Sequence, residues 1–513
     1  MKPFLQVLAD REKSATVTNH NTVHRSSLIV PIVEGFTSTI SFLNHFYIKR
    51  NYTEVCAKIT PYMQSGKPGP SVTYQIDKPI VYSFDLNASL TECSEKASAY
   101  EIEFFCAQNL FIPFPAVIIN HESDYCINSV HSYNRNLNDL REQSKISNIN
   151  VKEASFEYIN NDKESTFIIF QKGISPSLNA NNDITLELYK PEGPEPVWKH
   201  CYSTDHVPSA TSCVLDLASL YPDIPKSNSK IEYHLKVKQP KQFMFYGRMM
   251  AGIKSKHSNS FSANHSYYDN SEYQEYFTTN RSYRTYPYNS TGKNEIIIHP
   301  IMSNTVGDIN VLLNYSGEDG LLSKCAQKIN YRLNNNIIHI DIDSLAEKLE
   351  LKTLRSFSLE FIGKDGYKPP TRFSHQLLYG SKNHQGLMSS INVTLNNDDV
   401  PASKQKVSRS WIQIINDPNY KSFTALCFNK IPNVQDKASP NKMCLRFFDS
   451  TGLFETVDTY LSIGDSLQIE LDSKKSDDKY VWVMAESLSN EKFSLYTCHS
   501  NKFSGHSSGE HGF

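Results

Sequence analysis

The sequence predicts an all-β protein of four tandem antiparallel β-sandwich (Ig-like) domains with short helical turns. Three observations predict it. The aromatic fraction is 12%, with 29 Tyr and 27 Phe beside many Ile, Val and Thr, and these residue types suit pleated, half-buried strands. Strand-like stretches are bounded by Gly, Pro, Asn and Asp, and few long windows carry a helical period, which indicates hairpins rather than βαβ units. Three landmarks recur four times along a chain of 513 residues, a length that needs several hydrophobic cores.

The first landmark is an Asp-containing turn, FDLNASL at Asp85, LDLASL at Asp216, IDIDSL at Asp341 and, displaced by a few residues, SIGDSL at Asp465. A strand follows: YEIEFF from Tyr100, IEYHLKV from Ile231, FSLEFI from Phe357 and YVWVMA from Tyr480. In the second, Ile231, Tyr233, Leu235 and Val237 alternate with Glu232, His234, Lys236 and Lys238, so one face is expected apolar and the other solvated. The others are apolar on both faces and are expected to be central strands. The third landmark is a histidine pair bracketing a polar stretch: His121 and His131, His257 and His265, His375 and His384, His499 and His506. First members lie 136, 118 and 124 residues apart, a period that fits one sandwich per copy.

Each copy opens with an apolar strand, STISFLNHF from Ser38, STFIIFQKG from Ser165, INVLLNYSG from Ile309 and FTALCFNK from Phe423. The apolar spacing from Ser344 to Leu354 predicts the best helix. Segments rich in Asn, Ser, Asp or Pro serve as linkers. The expected layout is a mobile tail over 1–24, sandwiches over 25–145 and 146–270, a Tyr-rich linker over 271–292, and sandwiches over 293–398 and 399–513.

With 52 basic and 54 acidic residues the formal net charge is -2, so no overall field draws nucleic acid or an anionic membrane. No window is apolar over about 18 residues, so no transmembrane segment is expected. The first residues carry Asp10, Arg11, Glu12 and Lys13 where a signal peptide needs an apolar run, which favours a cytoplasmic location. None of the ten cysteines forms CxxC, and they read as reduced thiols behaving as small hydrophobes.

The histidine brackets are the main site candidates. His121, His131, His257, His265, His375, His384, His499 and His506 are candidate ligand-binding residues, with Arg135 in the first copy and Tyr267 and Tyr268 after the second. A divalent metal is the cofactor they suggest, because imidazoles flanking a hairpin with a nearby carboxylate resemble a zinc or transition-metal ligand set. The metal candidates are His257, His265, Asp269, His499, His506, Glu510 and His511, the two brackets most alike. The competing expectation is that the histidines fix turns by hydrogen bonds to backbone and to Ser or Asn. There is no GxSxG, HExxH, P-loop or strand-borne GxGxxG. Four similar modules suit extended binding, so the leading expectation is a non-catalytic binding or scaffold protein for a glycan or protein partner. The alternative is a metal-dependent hydrolase or lyase acting on a polysaccharide-like substrate.

Overall fold

The rings of Phe42 and Phe104 meet edge to face at 5.4 Å, and each lies on a different sheet, so this contact joins two layers face to face. The same kind of layering repeats along the chain. The computed structural model describes residues 24–90, 93, 95–106, 116–131, 153–171, 183–191, 193–208, 211–238, 249–265, 279–299, 306–317, 320–331, 337–369, 373–382, 386–397, 407–432, 440–489 and 491–513. The described residues form almost only antiparallel strands, in eight sheets. Residues 1–268 and 269–513 make two compact units.

In the first unit, β1 (His24–Pro31), β2 (Thr37–Leu43), β3 (Val55–Met63), β4 (Val72–Gln75), β5 (Val81–Asp85), β6 (Ala97–Cys106), β7 (Ile118–Glu122) and β8 (Ile127–Val130) form sheets ordered β1-β6-β3-β4 and β5-β2-β7-β8. They are followed by β9 (Glu153–Glu157), β10 (Glu164–Gln171), β11 (Ile184–Tyr189), β12 (Trp198–Tyr202), β13 (Ser212–Asp216), β14 (His234–Lys238), β15 (Met250–Ser255) and β16 (Phe261–His265), ordered β12-β11-β14-β9 and β13-β10-β15-β16. Phe156, Ile168, Leu186, Leu215, Leu235 and Ala251 share one core between these last two sheets.

The second unit holds β17 (Arg281–Pro287), β18 (Gly292–Ile298), β19 (Gly307–Gly317), β20 (Gly320–Tyr331), β21 (Ile338–Asp341), β22 (Leu354–Gly363), β23 (Ser374–Ser381), β24 (Ile391–Thr394) and β25 (Asn396–Asn397), ordered β20-β19-β22-β17-β25 and β21-β18-β23-β24. Last come β26 (Ser408–Ile415), β27 (Tyr420–Phe428), β28 (Asn441–Asp449), β29 (Gly452–Leu461), β30 (Ser466–Ile469), β31 (Tyr480–Ser487), β32 (Phe493–Asn501) and β33 (Ser507–His511), ordered β26-β31-β28-β29 and β30-β27-β32-β33. Counted locally, the order is 1-6-3-4 with 5-2-7-8 in every set, and the third adds β25 beside its first strand.

Several expectations change at this level. The strand expected to have one solvated face, β14, lies between β11 and β9. Its His234 stacks on Tyr189 at 5.3 Å and its Lys236 lies 4.4 Å above the same ring, so both faces are covered. Ile231, expected on the apolar face, precedes the strand and is 42% exposed. The strands expected to open the first, second and fourth copies, β2, β10 and β27, are the second of their sets, and in the third copy Ile309 falls in β19, the third strand, rather than in the equivalent β18. The stretch expected as a Tyr-rich linker over 271–292 is partly a strand: β17 pairs with β22 along seven positions and buries Tyr286. Its residues 271–278 lie outside the described ones, as do 1–23 of the expected tail.

In the first three sets the Asp turn ends the fifth strand. Asp85 precedes a short 3-10 turn, and Asp216 and Asp341 precede short helices. In the fourth set the residue in that place is Asp472, whose side chain accepts from Lys474 N before another 3-10 turn, rather than Asp465. The helix expected over Ser344–Leu354 spans Ile342–Lys348. Asp341 caps it through Ser344 N at 2.9 Å, and Glu350 ends it at φ 56°. The strands expected to be central are so: β6, β22 and β31 each lie between two neighbours. The ten cysteines are all free thiols, and among the described residues no helix is long and apolar enough to cross a membrane.

Candidate functional site

The described bracket histidines fall on one place in the topology, on or beside the hairpin of the seventh and eighth strands. A hairpin at the end of a sheet exposes a flank, and in both units that flank is covered by another hairpin. In the first unit, Asn128 of β8 donates to Ala263 O at 3.4 Å and accepts from Ala263 N at 2.9 Å, taking over the backbone pairing a neighbouring strand would supply. Ser123 Oγ donates to Asn259 O at 2.5 Å, and Asn259 Nδ2 to Gly35 O at 2.6 Å. Gly35 sits at φ 80° against that side chain, a backbone state that favours glycine.

This packing buries the first bracket. His121 is fully buried and its Nδ1 lies 2.9 Å from Ser38 Oγ, its direct partner across the β2–β7 ladder. His131, just past β8, meets His265 at the end of β16 with ring centroids 4.8 Å apart. Members of the second bracket do not converge. His257 is exposed at the β15–β16 turn, whereas His265 pairs with Met250 at the far end of the hairpin. The strand between them alone rises about 13 Å, too far for both to hold one ion.

In the second unit His375 of β23 is fully buried, with Nε2 2.5 Å from Tyr286 Oη and Nδ1 3.1 Å from Phe373 O. His506 precedes β33 and its Nδ1 accepts from Leu387 N at 2.9 Å, while Ser507 N donates to Leu387 O at 2.7 Å. That pair again ties one hairpin to the next. His499 is buried on β32 beside Tyr420. Glu510 of β33 is fully buried, opposite Thr497 and diagonal to His499, and accepts from His511 N at 3.2 Å. His511 is half-buried, with Nδ1 3.0 Å from Gly512 O. Arg135, Tyr267, Tyr268, Asp269 and His384 lie outside the described residues.

Burial sets the chemistry of these imidazoles. Loss of hydration penalises the charged ring, so the pKa of His121 falls to about 3 and that of His375 to about 3; burial also lowers His506. The unfolded chain takes up these protons near 6.5, so the stability such a neutral imidazole carries is lost as pH falls below that value toward the folded pKa. His121 and His375 are interior groups partnered by hydroxyls and a carbonyl.

A shallow depression of about 640 Å³ lies elsewhere, lined by Tyr47, Ile48, Lys49, Asn51, Tyr52 and Pro79, and holds none of the bracket residues. The sequence reading also missed the edge strand β12. Trp198, His200 and Tyr202 occupy alternate positions there and so share one face. The signal, WKHCY, is an aromatic alternation that the fourfold landmarks overlooked. No protein-family model matches the chain, and no curated protein matches it.

Proposed function

We propose that the protein is a non-catalytic binding or scaffold protein made of four tandem sandwiches descended from one repeated unit, acting on a glycan or protein partner. The observation that carries this reading is the strand order, 1-6-3-4 with 5-2-7-8, found four times. Tandem modules of one topology multiply a binding surface or space partners apart. The burial of His121, His131, His265, His375 and His499 supports it further, since a catalytic imidazole needs access to its substrate.

Elemental mass spectrometry on the untagged protein, before and after dialysis against a chelator, tests the reading. Zinc, iron, copper and manganese should stay well below one equivalent per chain. Near-stoichiometric metal that survives dialysis, together with metal-dependent polysaccharide cleavage, would overturn it in favour of the hydrolase or lyase.

A further inference from the structure

We infer that the open edge at β12 is a binding site for a neutral oligosaccharide, an inference that rests on the binding reading above and names its ligand class. Among the described residues the strand ends its sheet, and no further strand of that sheet covers its outer flank. Trp198 and Tyr202 pack with their inner sides against the core of the second sheet pair, and Tyr202 touches Phe170 at 5.9 Å between centroids. Their outer parts stay accessible, and His200 between them is exposed.

The rings form one continuous group. Trp198 and His200 are near parallel, 15° apart with centroids at 6.0 Å, and Tyr221 closes beneath both at 5.3 and 4.2 Å. Val197 and Leu220, 47% and 48% exposed, flank Trp198 and Tyr221 in sequence. A half-open aromatic surface of this kind, rimmed by polar groups, marks a recognition site. Because the core already fixes the rings, binding orders few side chains.

The rim decides the ligand class. Asp223 accepts from Trp198 Nε1 at 3.2 Å, and Tyr202 Oη lies 3.2 Å from His206 Nε2. Both Asp223 and His206 are exposed, leaving a carboxylate and an imidazole at the edges of the rings. A sugar ring presents an apolar C–H face to stack on an aromatic and hydroxyls at its perimeter to meet such groups. The one cation on the strand, Lys199, points to the other face and pairs with Glu187 at 2.9 Å. The aromatic face thus offers a carboxylate rather than a cation, which disfavours sulfated or sialylated chains.

The three tryptophans supply the readout. Trp411 and Trp482 are 6% and 0% exposed, so a ligand at β12 perturbs the emission of Trp198 alone. The full chain is titrated with cello-, chito-, manno- and xylo-hexaose, following tryptophan fluorescence and mobility in polysaccharide-containing native gels. At least one hexaose should shift the emission and be held roughly tenfold more weakly by the exposed substitution His200→Ala, and Trp198→Ala, which removes the reporter, should show roughly tenfold weaker retardation in the gel holding the matching polysaccharide, with melting temperatures confirming that both variants fold. Binding unchanged in both folded variants overturns the site. So does the absence of any shift with all four sugars, an outcome that leaves the edge to strand addition by an extended peptide. Neither result bears on metal content, so the site and the non-catalytic reading fail separately.

Discussion

Deletion of Ser504–Phe513 is expected to unfold the second unit. The segment contains β33, which pairs with β32 along five positions and places Ser507, Ser508 and Glu510 in the interior. Beyond it, Gly512 N donates to Leu495 O at 2.7 Å and Phe513 exchanges backbone hydrogen bonds with Trp411 at 3.4 and 3.0 Å. The Phe513 ring also lies near parallel to Trp411 and Trp482, with centroids at 6.4 and 6.1 Å. The deletion strips a strand from the sheet, uncovers Trp482, and removes the His506 contact to Leu387. Each loss belongs to a class that costs about 1–3 kcal/mol, and together they exceed about 4 kcal/mol, a large part of what a domain has. Near-UV circular dichroism should lose the bands of Trp411 and Trp482 at 25 °C. A truncated chain that melts within a degree or two of the full chain would contradict this packing.

Arg284→Leu is the second large effect. Arg284 of β17 donates to Thr394 O at 3.1 Å through Nη1 and to Ser494 Oγ at 2.8 Å through Nη2, and its guanidinium lies between Tyr286 and Tyr496, 6.0 and 5.6 Å from their centroids. It thereby links the third and fourth sheet pairs where Thr285 Oγ1 also donates to Lys430 O at 3.0 Å. Leucine fills part of the volume but leaves a carbonyl and a hydroxyl without this donor in a part-buried seam. The expected cost is about 2–4 kcal/mol in urea denaturation. Arg281→Leu on the same strand is the control: its pair with Glu360 at 2.6 Å involves a side chain 38% exposed, and screening holds its loss to about 1 kcal/mol or less. Equal effects would mean that Arg284 is solvated.

The contrast between those two arginines shows where sequence alone runs out. Alternating and doubly apolar stretches such as YVWVMA and FSLEFI carry their burial in their composition, and they are central strands as expected. The first three Asp turns were legible, and at Asp85 and Asp341 the reason is local, since the side chain accepts from Asn87 N and Ser344 N in the turn that follows; Asp465 was the wrong Asp of the fourth set. The first strand of the third set was not legible. In RSYRTYP, Arg281 and Arg284 are held by partners 79 residues (Glu360) and 110 and 210 residues (Thr394 and Ser494) away, and no local period encodes that. His234 and Lys236 misled in the same way, since a charged or polar residue reads as solvated until the ring it lies against, Tyr189, is known. The described bracket histidines lie on or beside the hairpins of the seventh and eighth strands, but their spacing along the chain says nothing of which hairpin covers which. That depends on contacts such as Asn128 with Ala263.

The central claim, that these hairpin histidines are interior joints rather than working groups, is tested most directly by long-range proton–nitrogen NMR of histidine-labelled protein. The spectra are recorded from pH 8 down to pH 5, with and without added zinc. The imidazoles of His121 and His375, assigned by His→Gln substitution, should remain neutral and unshifted throughout, because burial holds both near 3. Titration of either ring close to 6.5, or a zinc-induced shift of its nitrogens, would contradict the account and return these histidines to the list of catalytic or metal-binding groups.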